Sequence, residues 1–338
     1  MLTKKGSTIF FEKPPIIRGF ASVVGKKEAN GPLREYFDVI CMDSLMGQET
    51  FEKAEAQLQN TAVSRAMQKA SLTAEDIGYV MGGDLLNQCI SSSYGLREFG
   101  IPFLGLYGAC STMAESMGLA SLLCASGATE NAAAVSSSHF CSAERQFRFP
   151  LNYGGQRTPT AQWTVTGAGS VIVSNSEEKG KPKIKAVTFG KIVDLGITDI
   201  NNMGAAMAPA AASTIYEFFK DGSAKPSDFD LILTGDLGAL GSELMIRLLM
   251  DNNINIRERH NDCGKMIFES EKQDVHCGGS GCGCSASVLC SKILKDMQEG
   301  KLRNVLFMAT GALMSTVSVQ QGESIPAIAH LVHISMED

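Results

Sequence analysis

The sequence repeats itself, and that repetition limits the folds open to it. Ser71–Leu85 aligns without gaps on Ser223–Leu237, and the offset is constant, since 228 − 76 and 236 − 84 both give 152. Gly83-Asp84 thereby falls on Gly235-Asp236. The helical stretch Ala62–Gln68 matches Thr214–Lys220 at the same offset. A second match sets Ser126–Val135 on Glu299–Met308, offset by 300 − 127 = 173, which places Cys110 opposite Gly283. Each half reads helix, strand, Gly-Asp turn, Gly-rich turn, long helix, strand. Helices alternating with buried strands predict an α/β sandwich. The charged, turn-rich Ser174–Lys185 is the natural junction, giving an N-terminal half 1–180 and a C-terminal half 181–338.

A chain of 338 residues with 44% apolar and 20% charged content suits two such units around a large core. Formal charge is 30 − 36 = −6, which points away from nucleic acid as a partner. No apolar run reaches transmembrane length; Met203–Ile215 is short and contains Pro209. The N-terminus carries Lys4 and Lys5 but no long apolar core, so no signal peptide is expected. Ten cysteines without an export signal imply a reducing compartment, with synthesis in the cytoplasm.

Gly105–Gly127 is the chemically suggestive stretch. Glycines lead to Cys110, and Met113, Met117, Ala120, Leu123 and Cys124 then recur at helix spacing. Ser111 or Thr112 is positioned to cap this helix, and Gly127 to follow its end. A cysteine at a helix start sits in the positive end of the dipole, which favours thiolate. The competing reading is a small buried cysteine packing the helix onto a sheet. Asp84, after its strand, reads as a ligand-facing strand end or as an Asx turn capping the next segment.

These residues resemble the thiolase superfamily, which includes the ketoacyl synthases. Tyr107-Gly-Ala-Cys110-Ser is similar to the synthases' nucleophile turn. Thr166-Gly-Ala-Gly-Ser-Val-Ile-Val173 is similar to their Gly-rich strand, and His276-Cys-Gly-Gly-Ser-Gly281 to the thiolase His-Pro-x-Gly-x-Ser-Gly turn. The resemblance implies a thiolase-like fold, with two similar halves forming a layered α/β/α/β/α sandwich. Two departures stand out. Thr234-Gly-Asp236 occupies the place of the synthases' His-Gln-Ala-Asn motif, and Met308–Ala312 lacks the late thiolase cysteine. Condensation needs a donor that stabilises an enolate oxygen, and an ionised Asp236 opposes that charge.

As a whole the chain resembles the stage V sporulation protein AD family of spore-forming bacteria, from Gly6-Ser-Thr-Ile-Phe10 through both Gly-Asp turns to His276-Cys-Gly-Gly279. That resemblance implies a binding protein for dipicolinic acid during its uptake into the developing spore. It implies as partners the other stage V sporulation A membrane proteins, at the inner spore membrane. A homodimer is a further expectation. No cofactor is expected, apart from calcium arriving with the ligand. The alternative is a thiolase-type acyltransferase with Cys110 and His276 as catalytic residues.

The expected ligand site comprises Cys110, Asp236, His276, Gly278 and Gly279. Cys110 and His276 should approach one another, because their turns occupy matching positions. Arg145, Arg148 and Arg157 share one loop with Trp163, and a dicarboxylate favours such forked donors beside an aromatic face; Arg157 and Trp163 complete the set. The cysteines at 277, 282, 284 and 290 follow no standard zinc spacing, so no metal site is expected.

Overall fold

The computed structural model describes residues 2–147 and 157–337. Ten strands form the long ladder that frames the molecule. They are β1 (Ile16–Val24), β2 (Tyr79–Gly83), β3 (Phe103–Gly105), β4 (Asn131–Ser138), β5 (Gly167–Ser174), β6 (Lys183–Phe189), β7 (Leu231–Thr234), β8 (His260–Asp262), β9 (Asn304–Ala312) and β10 (Ala327–Ser335). Their spatial order is β8-β7-β9-β10-β6-β1-β5-β4-β2-β3. Read outward from the centre, both sides repeat one pattern. In the first, β1 and β5 are antiparallel, β5 and β4 are antiparallel, and β4, β2 and β3 are parallel. In the second, β6, β10, β9, β7 and β8 do the same in that order. The ladder joins the two groups where Lys183 pairs with Ile16.

Strands β4 and β5 are buried at every position. Covered on both faces, they show the continuous run of small and β-branched residues that a two-sided sheet requires. The helix α1 (Phe51–Ala70) packs outside the first group, against β1 and β5. Thr50 caps it by accepting from Lys53 N, and Ser71 closes it in the left-handed region. The helix α2 (Thr112–Ala125) packs against strands of both groups and so lies between them. Its Met113, Met117, Ala120 and Cys124 join a core shared with Val171, Phe307 and Val332. Next come α3 (Phe140–Phe147), α4 (Met203–Asp221), α5 (Gly238–Met250) and α6 (Cys282–Val288). The pair α4 and α5 covers the second group, while α6 packs on β5 and β4. Helices outside, two sheets and helices between give the layered α/β/α/β/α arrangement.

Lys26–Asp43 carries short helices at Lys26–Ala29 and Arg34–Tyr36 and a strand, Val39–Ile40, paired with β1. The helix that opens at Cys282 passes through a π-helical turn at Leu289–Ile293 and ends at Gln298. Pro209 does not interrupt α4. Among the described residues no helix is long and apolar enough to cross a membrane.

Candidate functional site

Cys110 sits in a single 3-10 turn, Ala109–Ser111, that feeds α2. Ala109 holds φ at 50°, a conformation that costs a residue with a Cβ about 1–3 kcal/mol and persists only under outside restraint. The restraint comes from β9. A Cβ on Gly311 would stand 2.4 Å from Gly108 O, so only glycine lets the strand press this closely on the turn. The expected caps do not form. Ser111 Oγ donates to Gly108 O and Thr112 Oγ1 to Ala109 O, so both hydroxyls spend their hydrogens on the turn itself.

Behind Cys110 lies Asp236, fully buried. Its Oδ1 accepts from Thr310 Oγ1 at 2.9 Å, and its Oδ2 from Gly281 N at 3.0 Å and Ser280 Oγ at 3.3 Å. The Cys110 thiol lies close enough to this carboxylate for a charge on one to oppose a charge on the other. Burial, outweighing these hydrogen bonds, raises the Asp236 pKa to about 6. Burial first, and then the Asp236 charge, pushes the Cys110 thiol well above its ordinary value. The expectation of an accessible, acidified thiol is therefore corrected: Cys110 is 7% exposed, and its nearest charge is negative.

Cys110 and Ser280 open onto a cleft of about 270 Å³. Its wall is apolar, formed by Leu85, Tyr107, Phe147, Ile200, Met203 and Met314. Glu144 is the one charged side chain among the described residues that line it; no lysine, arginine or histidine does so.

The other predicted residues lie around this cleft, outside its lining. Gly279 and Ser280 pair in parallel with Trp163 and Thr164, a ladder that delivers Ser280 and Thr164 to the cleft. Gly278 O receives the Trp163 N–H. Trp163 stacks on Phe140, with centroids 4.0 Å apart, and carries Lys27 on its ring at 3.6 Å. Arg157 donates to Asp274 O and also lies over Trp163. Arg145 pairs with Glu52. Arg148 lies outside the described residues. His276 Nε2 is 3.5 Å from Asp274 Oδ1, and the expected approach of His276 to Cys110 is not seen in the cleft. Among the described residues no cluster of three or more His, Cys, Asp or Glu is arranged to hold a metal ion.

Sequence reasoning passed over Thr310, Ser280 and Gln162. The buried Gln162 Nε2 donates to Asp236 O and Gly279 O, clamping the Gly-Asp turn to the Gly-rich turn. Thr310 was findable through the repeat, because 310 − 137 = 173 sets it opposite Ser137, a second hydroxyl in a buried acid cluster.

That cluster is the first-half counterpart of the site. Asp84, equivalent to Asp236, accepts from Leu86 N and from Ser92 N and Oγ, so it is the Asx turn of the bland reading. Ser137 donates to Glu55, and Cys282 Sγ donates to Ser137 O. Glu55 and Gln59 from α1 fill the space beside them; Gln59 Nε2 reaches Ser92 and Ser137. At the offset of 152 their counterparts in α4 are Met207 and Ala211.

Residues 5–335 match the family model described as Stage V sporulation protein AD (SpoVAD). Stage V sporulation protein AD of Bacillus subtilis (strain 168) is 46% identical over 323 residues, covering 96% of this chain and 95% of that protein. Solved structures of similar fold include 3-oxoacyl-[acyl-carrier-protein] synthase III from Aquifex aeolicus VF5, with a TM-score of 0.58 at 14% identity over 95% of this chain and 99% of that one. Cerulenin-bound OleA from Xanthomonas campestris gives a TM-score of 0.63 at 13% identity over 99% and 100%. These neighbours establish the thiolase-like fold and, at such identity, nothing further.

Proposed function

The chain belongs to the stage V sporulation protein AD family, and on that footing we propose that it binds dipicolinic acid in the Cys110 cleft and does so without catalysis. The observation that carries the reading is the burial of Cys110 beside Asp236. A nucleophilic cysteine needs a thiolate and an oxyanion donor beside it. Here burial and a neighbouring carboxylate both oppose the thiolate. Binding asks less of the same groups. The apolar wall suits the faces of a flat aromatic ring, while Ser280 and Cys110 offer hydrogens to a carboxylate.

Uptake into the spore then requires a membrane component, for which the other stage V sporulation A proteins are the proposed partners at the inner spore membrane. Calcium accompanying the ligand is one way of balancing its charge.

A second reading, acyl transfer through Cys110, draws support from the same wall of Leu85, Phe147, Ile200, Met203 and Met314, which would also suit an acyl chain. Calorimetry with dipicolinate, with and without calcium, beside an acyl-CoA thioester release assay separates the two. Saturable binding without thioester release is expected. Release that is lost in Cys110→Ala, with no dipicolinate binding, favours the enzyme.

A further inference from the structure

The cleft has no cationic side chain among its described lining residues to meet an anion. Behind it, the groups around Asp236 from every packed element are neutral or acidic. These are Cys110 before α2, Thr310 in β9, Cys282 and Cys284 in α6, Asp262 in β8 and Cys263 after it. Glu144 on α3 faces the cleft itself. A carboxylate entering here meets the buried Asp236 acid behind the Cys110 and Ser280 wall. Burying it unmatched is prohibitive.

Asp236 does not line the cleft; Cys110 and Ser280 stand between it and any ligand. Each has a single hydrogen, and Ser280 Oγ directs its own at Asp236 Oδ2. A hydroxyl or thiol hydrogen serves one acceptor at a time. If Ser280 turns its hydrogen to a ligand carboxylate, Asp236 loses a donor and gains an anionic neighbour. Thr310 Oγ1 and Gly281 N remain on it.

We propose that the cleft binds its aromatic carboxylate together with one proton from solution, which is held on Asp236, with Ser280 relaying between acid and ligand. In the complex, protonated Asp236 donates back to Ser280 Oγ, which donates outward to the ligand. No bond other than O–H forms, and the only species consumed is a solvent proton. This rests on the ligand reading above and specifies how that site matches charge. The raised Asp236 pKa, about 6 in the free protein, fits an acid that protonates readily when an anion arrives.

The test is calorimetry of dipicolinate binding to the full-length protein at pH 7.5 with chelator present, in two buffers of different ionisation enthalpy. Uptake of about one proton per ligand is expected, and above neutrality the affinity should weaken by about tenfold per pH unit. Asp236→Asn, an amide that needs no proton to donate, should bind with no uptake and a flat pH profile. Glu144→Gln should keep the uptake. Binding by wild type without proton uptake, binding only when calcium is added, or uptake that survives Asp236→Asn each overturns the proposal. The wild-type proton count decides even if Asp236→Asn misfolds. Absence of binding with and without calcium instead overturns the ligand assignment, and the proton inference with it.

Discussion

The Thr310 hydroxyl donates to Asp236 Oδ1 across 2.9 Å, so a residue inside β9 fixes the acid that follows the neighbouring β7. Thr310→Val keeps the shape and removes the donor. The carboxylate then loses a hydrogen bond to a charged group, and stability should fall by about 1.5–3 kcal/mol. The loss should be larger at pH 8 than at pH 5, where Asp236 is neutral and needs its donors less. Urea unfolding at the two pH values measures this. Equal stability of variant and wild type at pH 8 contradicts it.

Cys110 should alkylate more slowly than a small thiol at every pH from 7 to 9, because both burial and Asp236 disfavour its thiolate. Removing the charge with Asp236→Asn should speed the reaction without matching the free thiol. Mass-resolved alkylation rates at Cys110 are the measurement. A wild-type rate above that of the small thiol would restore the activated cysteine that the sequence suggested.

Much of this was legible in advance. The offset of 152 paired the two Gly-Asp turns, and it did so because a strand followed by a tight turn leaves a local imprint of glycine and aspartate. Cys110, as the start of a central helix, was equally visible. Local sequence did not show that the helix is enclosed by sheets from both halves. That enclosure turns a favourable dipole position into a desolvated one. The capping hydroxyls were misassigned for a related reason: Ser111 and Thr112 have nearby carbonyls in a strained turn that only β9 holds in place. His276 and the arginines were grouped with Cys110 through sequence alignment and loop composition. Arg157 does lie over the Trp163 ring, as the loop composition suggests, but Asp274 and Glu52, the partners of His276 and Arg145, are set by contacts that neither conveys.

Glu55 gives the protein a basic limit. Burial first, and then the charge of Asp84, raises its pKa from 4.5 to about 8. A raised carboxyl favours the protonated folded state, so its contribution is complete below 4.5 and is lost as pH rises through about 8. Wild-type stability should therefore decline between pH 6 and 9. Glu55→Gln should flatten that decline. Chemical denaturation across this range checks the sign; a steeper decline in the variant would refute it.

Gly311→Ala should disturb the site without touching any polar group. Its Cβ would meet Gly108 O at 2.4 Å, forcing β9 and the Cys110 turn apart at a cost of about 1–3 kcal/mol. Calorimetric dipicolinate affinity should drop together with the melting temperature. A variant that melts and binds like wild type would show that the turn yields easily.

The filled first-half cluster sets the two halves apart. Here Cys282 meets Ser137 much as Cys110 meets the residues of the second half. Glu55 and Gln59 occupy one copy, while the matching positions in α4 hold Met207 and Ala211. Like backbones thus enclose unlike chemistry: the first half surrounds its Gly-Asp acid with polar side chains, where the second places apolar ones at the equivalent helix positions.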